Sequence, residues 1–135
     1  MGDKAFLNAI NNNQNVTTVQ LGADVPLPVV VHDEKIEAFP GGFAFVIKHH
    51  GMYQYFFKIE GKPAQDEPVV LALTRNGNIL PNTLSTTGGS GLVHLDKGDS
   101  VTVRLAPDSR SGSIDLDSAS LGGANNATLT LILLD

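Results

Sequence analysis

The chain contains no cysteine and no tryptophan. Without thiols there is no disulfide framework, no thiolate metal site, no iron–sulfur cluster and no cysteine nucleophile. Charge is scarce as well. Asp, Glu, Lys and Arg make up 17% of the residues, below the usual quarter. Basic residues are the scarcer sign, 9 against 14 acidic, for a net charge of −5. A nucleic-acid binder carries a basic patch, and this balance argues against one. No apolar run approaches the length that crosses a bilayer as a helix. The opening Met1-Gly2-Asp3-Lys4-Ala5-Phe6-Leu7-Asn8 has an acid at its third position and no apolar h-region. We therefore expect no Sec signal peptide. Helix formers never hold a 3.6-residue period for long. The best helical stretch, residues 4–11, spans about two turns and runs into Asn11-Asn12-Asn13, a poor continuation.

What is present is a vocabulary of Gly, Asn, Thr, Ser, Val and Leu with a period of two. At 135 residues and 41% hydrophobic, the chain can bury one core as one domain. Strands are expected at 16–21, at 24–31 as an edge because of Pro26 and Pro28, and at 37–39. A further strand carries Phe43, Phe45 and Ile47 on one face. The clearest strand points Tyr53, Tyr55, Phe57 and Ile59 one way and Met52, Gln54, Phe56 and Lys58 the other. Residues 69–75 form a strand that runs into Asn76-Gly77, a strong hairpin signal. Residues 85–91 read as a flexible Gly/Ser/Thr loop. Strands at 92–95 and 100–106 flank a turn at Asp96-Lys97-Gly98-Asp99. Ile114 and Leu116 mark a short strand, and 127–134 ends the chain as another. Short strands with turn signals every 8–12 residues mean a β-sandwich or barrel.

Three stretches in order carry a family resemblance. They are Gly51-Met52-Tyr53-Gln54-Tyr55-Phe56-Phe57, then Val69-Val70-Leu71-Ala72-Leu73-Thr74-Arg75-Asn76-Gly77, then Val93-His94-Leu95-Asp96-Lys97-Gly98-Asp99-Ser100-Val101-Thr102-Val103. Together they resemble the jelly-roll head of tumour necrosis factor (TNF-like) and of the complement globular heads. Among bacterial proteins the set is similar to the C-terminal domain of the collagen-like exosporium glycoproteins (BclA type) of Bacillus spores. The resemblance covers residues 16–135. It implies an all-β jelly-roll sandwich of about ten strands, assembled as a homotrimer, with a structural, adhesive or receptor-binding role. The chain carries no Gly-X-Y collagen stalk.

Oligomerisation also follows from the residues. Phe43, Phe45, Tyr53, Tyr55 and Phe57 can fill a sandwich core, with Leu129 and Leu131 from the last strand. Met52 and Phe56 point away from that core on their strand, as do Val70 and Ala72 on theirs. Strands apolar on both faces need cover on both sides. With no helices to supply it, neighbouring copies do so; a loop folded over the face is the alternative. Residues 1–15 are read as an arm, extended or briefly helical. Its Phe6, Leu7 and Ile10 are expected to dock on another subunit and to link one trimer to the next; an arm that lies on its own trimer is the alternative.

Candidate chemistry is thin. His49 and His50 are adjacent, so on a strand they face opposite ways and cannot readily share an ion. Three copies of His50 around a threefold axis could hold a metal or an anion. Asp115 and Asp117, at i and i+2, share a face and could begin a calcium site. Asp96 and Asp99 are expected to serve their turn. His32 and His94 read as solvated or satisfied. Asn15-Val16-Thr17 and Asn126-Ala127-Thr128 match glycosylation sequons by chance. No Gly-x-Ser-x-Gly elbow and no phosphate cradle is present. The expectation is a non-enzymatic protein without cofactors whose partner is itself. It would build a fibre or layer on a cell or spore surface, reached without a Sec signal, with spore-surface proteins or glycans as further partners. An adhesin or phage receptor-binding head is the alternative.

Overall fold

The computed structural model describes residues 5–134. Thirteen strands form among them: β1 (Phe6–Asn11), β2 (Thr17–Gln20), β3 (Val29–His32), β4 (Ile36–Ala38), β5 (Phe45–Ile47), β6 (Gly51–Ile59), β7 (Lys62–Pro63), β8 (Leu71–Arg75), β9 (Asn78–Ile79), β10 (Gly88–Leu95), β11 (Ser100–Leu105), β12 (Ser113–Leu116) and β13 (Ala127–Leu134). The described residues contain no α-helix, only three short 3-10 turns. Two five-stranded antiparallel sheets, β10-β6-β13-β1-β3 and β4-β5-β11-β8-β9, share one core, and β2-β12-β7 form a small third sheet. This is a jelly-roll sandwich.

Period-two alternation builds the core. Leu7, Tyr53, Tyr55, Phe57, Leu129 and Leu131 descend from the first sheet. Ile36, Phe45, Ile47, Leu71, Leu73, Val101, Val103 and Leu105 meet them from the second. At the β8–β9 hairpin, Asn76 and Gly77 both hold positive φ, 54° and 83°. That is the backbone a two-residue primed turn demands, and Asn-Gly accommodates it at least cost.

Four expectations are corrected. Residues 6–11 are no arm: they form β1, paired with β13 on one side and β3 on the other. Leu7 is 1% exposed and lies in the core of its own chain, so it is not a free docking residue. Residues 88–91 are no loop but the start of β10, paired with β6 in continuous register. The reason is close approach. A Cβ at Gly88 would lie 2.1 Å from the Phe57 carbonyl oxygen, and one at Gly91 would lie 2.9 Å from the Tyr55 hydroxyl. Phe43 leaves the core because it ends the 3-10 turn Pro40–Gly42 in αR conformation, and the strand begins only at Phe45. Val70 precedes β8 and is half-buried, with its N–H donating to Ser109 Oγ at 2.7 Å, so it does not lie on a strand face as expected. Arg104 stands opposite Ala72 across the strand pair, so that side of β8 needs no second copy.

Candidate functional site

The outward face of the first sheet carries the most distinctive surface. Alternation puts Tyr53, Tyr55, Phe57 and Ile59 of β6 inside and Met52, Gln54, Phe56 and Lys58 outside. The register then sets the outward residues of five strands side by side. Met52 lies opposite Leu134 and His94, and Gln54 opposite Ile132 and Leu92. Ile132 lies opposite Phe6, and Phe56 opposite Thr130. Phe6, Met52, Phe56, Leu92, Ile132 and Leu134 are each between 39% and 54% exposed. Monomeric proteins rarely leave a contiguous apolar face of this kind open, and such faces mark association.

Polar groups, among them Asn8, Gln54, Lys58, His94 and Thr130, are interspersed on this face. Thr130 Oγ1 donates to Asn8 Oδ1 at 3.0 Å. Lys58 pairs with Glu60 at 2.8 Å, both about half exposed; a pair that open to water is worth under about 1 kcal/mol. Phe6 and Ile10 of the expected arm lie on this face or its flank, with Phe6 exposed and Ile10 half-buried against Thr128 and Val29. Of the residues assigned to interface or core, Met52 and Phe56 are on the face. Tyr53, Tyr55, Phe57, Leu129 and Leu131 are interior.

The candidate metal ligands are not brought together. The described residues contain no group of three or more His, Cys, Asp or Glu placed to hold an ion. His49 and His50 do not diverge as a strand would make them. They sit in the β5–β6 turn with rings stacked, centroids 5.5 Å apart. Beside them, Tyr53 donates its hydroxyl to the His49 carbonyl at 2.6 Å. Burial, with the Asp33 charge adding to it, pushes the Tyr53 phenol up to about 12. His94 Nδ1 stands 3.6 Å from Asp96 Oδ1, and His32 Nδ1 lies 2.7 Å from the Asp33 carbonyl. Asp115 Oδ1 accepts from the Thr18 hydroxyl at 2.7 Å, whereas Asp117 Oδ1 accepts from the Ser120 N–H at 3.2 Å. Asn126 is 1% exposed and bonded through Nδ2 to Ser118 Oγ at 2.7 Å, so its sequon is closed to a glycan in the folded chain.

Phe39, at the end of a strand expected at 37–39, and Phe43, expected in the core, carry no site role in the sequence reading. They flank the Pro40–Gly42 turn and are 45% and 49% exposed. The signal was present as two aromatics bracketing Pro-Gly-Gly, where a turn cannot bury both.

No protein-family model and no curated protein sequence matches the chain. Solved structures do match. Murine APRIL at pH 8.0 is 14% identical, with a TM-score of 0.64, over 98% of this chain and 100% of that one. Eiger TNF from S. frugiperda is 13% identical, with a TM-score of 0.59, over 98% and 92%. The globular domain of zebrafish complement 1qA is 13% identical, with a TM-score of 0.58, over 95% and 94%. The fold is therefore the TNF-like jelly roll.

Proposed function

We propose that the chain is a non-enzymatic structural subunit that associates with itself as a homotrimer. The carrying observation is the apolar outward face of β10-β6-β13-β1, in a fold shared with TNF and complement globular domains. Covering a half-exposed Phe, Leu, Ile or Met contributes roughly 1 kcal/mol, so six per copy can offset the entropy of association. The trimers join into a fibre or layer on a bacterial cell or spore surface, of the exosporium or appendage kind. Other spore-surface proteins or glycans are its further partners.

The N-terminal segment supplies the link between trimers by strand exchange. Leu7 and Ala9 fill a core slot next to Leu131 and Leu129, and that slot can be filled by the β1 of another copy at little cost in contacts. Electron microscopy and sedimentation of the purified protein test both levels. Trimers or filaments of trimers are expected. A monomer at tens of micromolar would sink the reading. Discrete trimers that never polymerise would remove the fibre.

A second reading, an adhesin or phage receptor-binding head for a glycan or cell-surface partner, has one observation in its favour. Phe39 and Phe43 present apolar rings on a turn flanked by extended chain, the kind of anchor that recognition loops use. Binding of a glycan array that is lost in Phe39→Ser/Phe43→Ser would promote it.

A further inference from the structure

The sequence contains a single Asn-Gly step, Asn76-Gly77. It forms the β8–β9 turn, and both residues are exposed to water. Asn-Gly carries its own chemistry. Because Gly77 has no side chain, its nitrogen meets the least steric resistance in approaching the carboxamide carbon of the preceding asparagine. Attack forms a cyclic succinimide: the Gly77 nitrogen loses its proton and bonds to that carbon, and the carboxamide nitrogen leaves as ammonia. Water then opens the ring to aspartate or to isoaspartate.

The fold holds the carboxamide away from this attack. Asn76 Nδ2 donates to Asp99 Oδ1 at 2.9 Å, and Asn76 Oδ1 accepts from the Ser100 N–H at 2.9 Å. The main chain is tied as well. The Asn76 N–H donates to the Ser100 carbonyl at 2.8 Å, and Arg104 Nη1 donates to the Gly77 carbonyl at 2.9 Å. Arg104 is itself fixed, through Nε, to Asp24 at 2.8 Å. Turning the Asn76 side chain toward the Gly77 nitrogen would break both carboxamide bonds at once. Reaction needs aligned near-contact of the two atoms, and the clamp withholds it.

The product cannot rebuild the clamp. Aspartate at position 76 has no N–H to give Asp99. It sets a second carboxylate against one that already takes the Arg75 guanidinium at 2.8 Å, and two carboxylates that close resist joint ionisation. Isoaspartate adds a methylene to the main chain of a two-residue turn, where Arg75 must stand opposite Asn78.

We propose that Asn76 is a deamidation site that the folded chain keeps closed and that unfolding opens. A chain that stays unfolded is marked covalently and loses the contact between its two turns. This does not depend on the self-association proposed above, because every group named belongs to one copy.

Incubation of the purified protein in mildly alkaline buffer, with peptide mapping by mass spectrometry, tests it. In the folded wild type, conversion at Asn76 should run at least about tenfold slower than in the same protein unfolded in guanidinium chloride. Asp99→Ala frees Nδ2 and should speed conversion several-fold in the folded state. Leu131→Ala, a core truncation away from the turn, should speed it less, which separates release of the clamp from loss of stability. Asn76→Asp should melt below the wild type at neutral pH. It should recover part of the loss in mild acid, where the protonated carboxyl can donate to Asp99 as the amide did. If Asp99→Ala does not fold, the folded and unfolded wild type and Asn76→Asp carry the test. Equal rates in folded and unfolded wild type, equal acceleration by Asp99→Ala and Leu131→Ala, or wild-type stability in Asn76→Asp would each overturn the proposal.

Discussion

The Asp99 carboxylate meets the Arg75 guanidinium, Oδ2 to Nε, at 2.8 Å, and so ties the β10–β11 turn to the end of β8. The same oxygen accepts from the Asp96 N–H at 2.7 Å, and Oδ1 accepts from Asn76 Nδ2 at 2.9 Å. Asn76 completes the link by accepting from the Ser100 N–H at 2.9 Å. One carboxylate thus fixes two turns against each other. Burial alone would raise its pKa. The Asp96 N–H, Asn76 and Arg75 outweigh burial and hold it below the ordinary 3.8.

The sign of the pH dependence follows. A lowered folded-state pKa means that Asp99 stabilises the fold fully above pH 3.8, its ordinary value, and loses that contribution as pH falls below it through the lowered folded value. Asp99→Asn should cost about 1.5–3 kcal/mol at neutral pH, the worth of hydrogen bonds to a charged group. Its penalty should shrink as acid is added, because the wild type loses the same interactions. Urea unfolding at neutral pH and at pH below 3 measures the difference. A penalty that stays constant with pH would refute the assignment.

Tyr53 sets the alkaline limit in the opposite sense. Its phenol is pushed up from 10.0 to about 12 by burial and by Asp33. The neutral hydroxyl therefore stabilises the fold fully below pH 10, and that contribution disappears as pH rises through about 12. Tyr53→Phe removes the bond to the His49 carbonyl and should cost about 0.5–1.5 kcal/mol near pH 7. Above pH 10 the variant should approach the wild type in stability. Absorbance titration of phenolate alongside thermal melts checks both statements.

Glycines at the start of β10 differ sharply. A Cβ at Gly88 meets the Phe57 carbonyl at 2.1 Å, and its φ of 138° is one that L side chains rarely adopt. A Cβ at Gly89 meets nothing within 4 Å. Gly88→Ala should cost more than about 3 kcal/mol or prevent folding. Gly89→Ala should stay within about 1 kcal/mol of the wild type. Equal melting temperatures for the two variants would show that β10 does not lie on β6 as described.

These glycines also show where sequence reasoning stops. The alternation of Tyr53, Tyr55 and Phe57 against Met52 and Phe56 is local, and it placed both the core and the exposed face. Asn76-Gly77 is equally local and gave its turn. The first half of β10, residues 88–91, was hidden because its glycines are required by the partner strand, through the Phe57 carbonyl and the Tyr55 ring, and not by anything nearby in the chain; the second half, 92–95, was legible as a strand. β1 was hidden for a related reason. Asn8 meets Thr130, 122 residues away, and three asparagines after Ile10 mask a strand that a distant partner imposes.

Phe56 and Phe57 are neighbours of the same type on one strand, and they separate assembly from folding. Phe57 is fully buried, and Phe56 is 45% exposed on the outward face. Phe57→Ala opens a core cavity and should cost about 3–5 kcal/mol of stability. Phe56→Lys leaves the core intact and should change the stability of the single chain by no more than about 0.5 kcal/mol. Combined with Ile132→Lys, it places charge where copies are proposed to meet. This double variant should sediment as a folded monomer with an unchanged far-ultraviolet circular dichroism spectrum. The wild-type assembly, held by apolar burial in a chain without cysteine, should survive both reductant and molar sodium chloride. An assembly that persists in Phe56→Lys/Ile132→Lys, or that salt dissolves in the wild type, would move the contact to another surface.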